Sequence, residues 1–182
     1  MKKVVFTILF TLALCFCTNA REAFAEGADY EWDVVQAEEI SFDNVKQVIE
    51  TETIYDVPEI MLLSDYEIVP FEKVMYLNAT MGNGTSQQIC GVKLSGVFYY
   101  YDDGKVHLYS LNTTSYVYEA GGSLQKVSSS IVNTDGSYSE GIVVFNYSSP
   151  GYGFFACEAT VEFTENSMVV NSGLSVLTHT LP

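Results

Sequence analysis

Apolar and polar residues alternate along most of this chain. From Lys73 to Pro182, Tyr, Val, Phe, Ser and Thr dominate, and Gly, Asn and Asp break the run every eight to twelve residues or so, roughly the spacing of sandwich or barrel strands. A period of two is the strand period, because successive side chains leave opposite faces of an extended backbone. The pattern predicts strands over Gly91–Tyr101, Lys105–Leu111, Tyr116–Glu119, Leu124–Val132, Tyr138–Tyr147, Phe154–Thr164 and Met168–Leu177. Asp102-Asp103-Gly104 reads as a hairpin turn, with Gly104 able to take positive φ. Gly121-Gly122, Asn133-Thr134-Asp135-Gly136, Ser148-Ser149-Pro150-Gly151 and Glu165-Asn166-Ser167 read as the other breaks. Short alternating strands joined by tight turns predict an all-β fold, an antiparallel β-sandwich over 73–182.

Strand phasing then assigns faces. Cys90, Val92, Leu94 and Phe98 share one parity, and Phe155, Cys157, Ala159, Val161 and Phe163 share another, so both cysteines are expected to point inward from different strands. Two inward cysteines in an exported chain predict a Cys90–Cys157 disulfide, the alternative being two buried free thiols. Closing a loop of this length would stabilise the fold by roughly 4 kcal/mol on the chain-entropy model. Nothing adjacent in sequence would activate either thiol as a nucleophile. The spacing from Cys90 to Cys157, within a domain of this strand count, resembles immunoglobulin-like sandwiches, in which such a bridge joins facing sheets. The chain differs from them in two residues. Trp32, its one Trp, lies outside 73–182, and Phe155 stands where a tyrosine corner would place Tyr.

Export is read from the leader. Lys2 and Lys3 precede an apolar stretch from Val4 to Cys17, and Ala23-Phe24-Ala25 offers a small-x-small cleavage site, so residues 1–25 are expected to be a cleaved, bacterial-looking signal peptide of a secreted protein. The apolar run is short of the ~20 residues a membrane helix needs, so no membrane span is expected after cleavage. Residues 26–182 then keep 5 Lys, no Arg and 22 acids, a net charge of −17. Such a chain is repelled by nucleic acid and by anionic membranes and wall polymers, so either its partner is neutral or cationic or the charge serves only to keep the chain soluble and dispersed, the second being the more common case. Of the 22 acids, 14 fall between Glu26 and Glu72 beside a single Lys, Lys46. Residues 26–72 are therefore read as a separate acidic N-terminal segment, partly extended. Within it, 41–50 suits a short helix or a strand equally, and Ile60-Met61-Leu62-Leu63 is apolar enough to dock on the main domain.

Chemistry is sparse. His107 and His179 have no second ligand at metal-binding spacing, so no metal and no cofactor is expected. Glu158 and Glu162 share one strand face but stand roughly 14 Å apart, too far to flank one glycosidic bond, and a cross-strand partner is not legible. There is no G-x-S-x-G elbow, P-loop or dinucleotide fingerprint, and no catalytic residue is assigned. Four N-x-S/T sequons, at Asn78, Asn83, Asn112 and Asn146, read as polar loops.

Aromatic residues are the remaining enrichment, with 13 Tyr and 11 Phe. Tyr99 and Tyr101 oppose the Cys90 face, and Tyr109 can join them across the hairpin. These three are the candidate binding residues if exposed; otherwise a second sheet or the N-terminal segment covers them. The chain is therefore expected to be a secreted, non-enzymatic binding module for an extracellular protein or a neutral glycan. The alternatives are a small secreted hydrolase with an unlocated site and a toxin or pore former using Ser110–Tyr147 as an insertable hairpin.

Overall fold

The computed structural model describes residues 31–37, 46–50, 53–56, 65–80 and 84–180. The leader (1–25) and Ile60-Met61-Leu62-Leu63 lie outside the described residues. Among these residues there is no helix, and ten strands pair antiparallel into two sheets. The strands are β1 (Glu31–Ala37), β2 (Gln47–Glu50), β3 (Ile54–Tyr55), β4 (Tyr66–Thr80), β5 (Ser86–Tyr101), β6 (Val106–Val117), β7 (Ser123–Asn133), β8 (Tyr138–Ser149), β9 (Gly153–Thr164) and β10 (Asn171–Thr180). The larger sheet runs β1-β4-β5-β6-β2, with β3 beside β2 on the same edge of β6, and the smaller runs β10-β9-β8-β7. Residues 26–72 thus contribute β1, β2, β3 and the start of β4 to the larger sheet, and the drop in acid density falls inside β4. Residues 47–50, open between helix and strand on sequence alone, pair with Thr114–Val117 as a strand. Trp32 lies in β1, in register with Ala79.

Alternation is strictest in β8 and β9. Gly141, Val143, Phe145 and Tyr147 of β8 and Phe155, Cys157, Ala159, Val161 and Phe163 of β9 are buried on one face, while Glu140, Ile142, Glu158 and Glu162 lie on the other. The larger sheet answers with Phe71, Met75, Leu77, Val92, Leu94, Phe98, Leu108 and Leu111, and the two inner faces form one core. Phe163 stands between Phe71 and Phe98, with ring centroids 5.2 and 4.5 Å away. A second buried cluster, Val74, Tyr76, Tyr116 and Tyr118, sits on the opposite face of the larger sheet. Tight turns tie the sheets at one end. Gly104 takes φ 85° in the β5–β6 hairpin, and its carbonyl accepts the Asn166 N–H of the β9–β10 turn at 2.8 Å.

Consecutive strands from β4 to β6 and from β7 to β10 are sheet neighbours. This up-and-down order differs from the Greek-key connections of immunoglobulin domains, so the likeness extends to two facing layers. The predicted strands Lys105–Leu111 and Tyr116–Glu119 are parts of one strand, β6. The polar stretch between them continues the ladder because Thr113 and Ser115 point inward and are buried. Asn78, Asn112 and Asn146 lie within strands rather than loops, and Asn83 lies outside the described residues.

The predicted disulfide is absent. Cys90 and Cys157 are both inward and fully buried, as phasing required, yet both are free thiols. Parity places each sulfur on an inner face and says nothing of distance. A bridge needs Cα atoms within about 4.4–6.8 Å, and inward parity alone does not bring two positions on facing sheets that close. Burial pushes the Cys157 thiol up to about 12 and Cys90 well above its ordinary value, with Cys157 adding to the rise at Cys90.

Four ladders carry one extra residue: Ile89 in β5, Tyr109 in β6, Val127 in β7 and Leu177 in β10. The last two lie on the edges of the smaller sheet, where a bulge bends a strand away from edge-to-edge pairing. At Tyr109 the bulge draws Ser110 against β5, and its hydroxyl accepts the Val97 N–H at 3.1 Å. Gly96 makes this approach possible, because a Cβ there would lie 1.9 Å from the Ser110 carbonyl oxygen. Backbone cannot yield to that contact. Gly96→Ala is expected to cost about 3 kcal/mol, as overpacking against rigid structure does, read as a lowered urea midpoint at unchanged slope.

Candidate functional site

The parity that fills the core also sets the outer face of the larger sheet. Ile54 and Val69 pack toward the core, as do Phe98 and Leu108, so Tyr55, Ile68, Tyr99 and Tyr109 face outward from four adjacent strand segments. Register completes the surface: Tyr66 pairs with Tyr101, Ile68 with Tyr99, and Tyr99 with His107. The rings form a continuous row. Centroids lie 5.6 Å apart for Tyr55–Tyr109, 5.2 Å for Tyr99–Tyr109, 4.9 Å for Tyr66–Tyr99 and 6.0 Å for Tyr66–Tyr101. All four pairs are tilted or edge-on, the arrangement that aromatic quadrupoles favour.

The three tyrosines singled out from sequence are therefore brought together, in unequal roles. Tyr99 is 6% exposed and lies against Tyr66 and Tyr109, so it supports the surface from beneath. Tyr101 and Tyr109 are half-buried. The residues that reach solvent are Tyr55 at 64%, Ile68 at 56% and Tyr66 at 39% exposed, none of them recognised from sequence. Alternation at Tyr66-x-Ile68 carried a signal for two of these. Tyr55 gave none, since β3 is two residues long. Burial raises the Tyr99 and Tyr101 hydroxyls, and their tyrosine neighbours add to the rise, so both rings stay neutral phenols.

A polar group borders this row. The Asn133 side chain is locked onto β6, accepting the Leu108 N–H at 3.0 Å and donating to the Leu108 carbonyl at 3.1 Å. Its amide also donates to Asp56 Oδ2 at 2.6 Å and lies 3.3 Å from His107 Nε2. The Asp56 N–H donates to the Tyr109 carbonyl at 2.8 Å. His107 Nε2 stands 3.5 Å from Asp56 Oδ2. Burial holds the imidazole below its ordinary value of 6.5, against the opposing pull of Asp56.

Other chemistry-bearing residues are placed elsewhere. His179 stacks on Phe155 at 4.2 Å, and its Nε2 lies 3.0 Å from the Tyr152 carbonyl. Glu162 faces Glu140 directly across β8 and β9, the cross-strand partner that sequence could not show. Tyr138 is pushed up to about 12 by burial first, then by these two carboxylates. A shallow, open depression of about 430 Å³ is lined by Gly121, Ser148, Ser149, Pro150, Gly153, Phe154 and Thr180, none of them titratable. Among the described residues, no group of three or more His, Cys, Asp or Glu is placed to hold a metal ion. No protein-family model, no curated protein and no solved structure matches the chain.

The depressed His107 value has a consequence for stability. A folded-state value below the unfolded one means that the unfolded chain takes up the proton first as pH falls. The stabilisation is fully present above pH 6.5 and is lost as pH drops through the lowered folded value. Urea midpoints measured between neutral and mildly acid pH are expected to fall for the wild type, and His107→Gln is expected to flatten that part of the decline.

Proposed function

We propose that this chain is a secreted, non-enzymatic β-sandwich that acts as an extracellular binding or interaction module, taking an extracellular protein or a neutral glycan on the outer face of its larger sheet. The observation that carries this reading is the tyrosine row, which presents the exposed rings of Tyr55 and Tyr66 with the exposed side chain of Ile68. Tyrosine offers large, rigid contact area at low entropic cost. An apolar surface that a folded chain leaves to solvent invites a ligand. The leader pattern of residues 1–25 supports secretion. The immunoglobulin-like likeness enters only as two facing layers with the contact surface on one outer face.

Two features weigh against chemistry and insertion as the main role. His107 and His179 are each engaged in contacts that hold strands and rings in place. The stretch from Ser110 to Tyr147 runs through both sheets and contributes Leu111, Val143, Phe145 and Tyr147 to the shared core, so releasing it as a hairpin would open that core.

The test is a comparison of the wild-type protein with Tyr55→Ala/Tyr66→Ala on protein-partner and neutral-glycan arrays. Interactions made by the face are expected to weaken about tenfold or more, as buried tyrosine anchors do at interfaces. Every detected ligand binding the two proteins equally well would sink the assignment.

A further inference from the structure

The tyrosine face has one asymmetry that bears on its ligand. Asp56 is held at the end of the row by a backbone hydrogen bond and by a side-chain hydrogen bond from an amide that is itself fixed. Its N–H is bound to the Tyr109 carbonyl, its Oδ2 accepts from Asn133, and Asn133 is itself fastened twice to Leu108. The carboxylate remains 46% exposed in its side chain. Among the described residues no lysine pairs with it. The described lysine ion pairs are Lys93 with Glu72 and Lys105 with Asp103, and the group nearest to Asp56 is His107. That imidazole is kept neutral near pH 7 by burial, so it lends a polar contact and leaves the carboxylate charge in place. Asp56 is thus an oriented, uncompensated anion next to the rings of Tyr55 and Tyr109.

We propose that this end of the face binds a guanidinium group, an arginine side chain of a protein partner, which pairs with Asp56 and lies against Tyr55 and Tyr109. The inference rests on the binding reading above and names its ligand chemistry. A planar guanidinium suits the place twice over: its N–H fork matches a fixed carboxylate, and its faces stack on aromatic rings. Charge complementarity selects the same class. The chain carries 23 acids against 8 basic residues, and a field of that sign draws basic partners and speeds their encounter. A neutral sugar would use the rings and leave the carboxylate charge unanswered.

Two acetylated, amidated peptides of alternating Arg and Gly or citrulline and Gly serve as probes, citrulline being the neutral isostere of Arg. Affinities are measured for the full chain by fluorescence anisotropy. The Arg peptide is expected to bind, with the citrulline peptide about tenfold weaker, since a desolvated charged pair outweighs its neutral counterpart. Asp56→Asn and Tyr55→Ala are each expected to weaken the Arg peptide by about tenfold. Glu158→Gln, the same change of charge on the outer face of the smaller sheet, is expected to leave it unaltered. Asp56→Asn preserves shape and Tyr55 is mostly exposed, so both variants retain the fold.

Equal losses from Glu158→Gln and Asp56→Asn would mean diffuse attraction and overturn the proposal. So would an Arg peptide indifferent to Tyr55→Ala. A third result separates the two readings. If the Arg peptide fails to bind while a neutral glycan binds and is lost in Tyr55→Ala, the tyrosine face stands and the guanidinium assignment falls.

Discussion

Phe163 joins the two sheets. Its ring lies within aromatic contact of Phe71 on β4 and Phe98 on β5, so one side chain of the smaller sheet is gripped by two strands of the larger. Full burial of each such ring contributes on the order of 2 kcal/mol, and this grip repeats with aliphatic residues along the interface. The outer face depends on it. Because Phe98 must point in, Tyr99 must point out; because Leu108 points in, so does its neighbour Tyr109 point out. The tyrosine row is the obverse of the core, and its geometry is as rigid as the packing behind it.

The bulge at Tyr109 is where that rule is locally adjusted. One extra residue in β6 sends both Leu108 and Leu111 inward while Tyr109 stays outward between Tyr55 and Tyr99. The adjustment draws two backbones together, and only a residue without a Cβ fits at position 96 against the Ser110 carbonyl. Core filling, a tyrosine-lined surface and an obligatory Gly96 therefore share one cause.

Much of this was legible from alternation alone. From Gly141 to Tyr147 in β8 and from Phe155 to Phe163 in β9 every second residue is apolar, and the chain folds them as that pattern demands. The turn at Gly104 was legible because its residue types leave few other conformations. What escaped has a common character. Tyr55 ends a two-residue strand, too short for any period, Asp56 follows just outside it, and Asn133 reaches Asp56 across 77 positions. The acidic charge of residues 26–72 suggested a segment apart, and the sequence carried no sign that β1, β2 and β3 of that stretch pair at the margins of the larger sheet. Parity also placed both cysteines inward correctly, but the expected bond between them depended on a separation that periodicity does not encode.

Those two sulfurs give the molecule an asymmetric relation to its surroundings. A thiol reacts as thiolate, and burial suppresses that form at both positions, so neither is reactive while the fold is intact. Among the described residues, cohesion owes nothing to a cross-link, and reducing agents find no bond there to cut. Once the sandwich opens, both sulfurs regain ordinary acidity in whatever oxidant is present, and wrong pairings can trap the chain before it recloses. Outside a reducing milieu its lifetime is then governed by how seldom it opens rather than by the balance between open and closed forms.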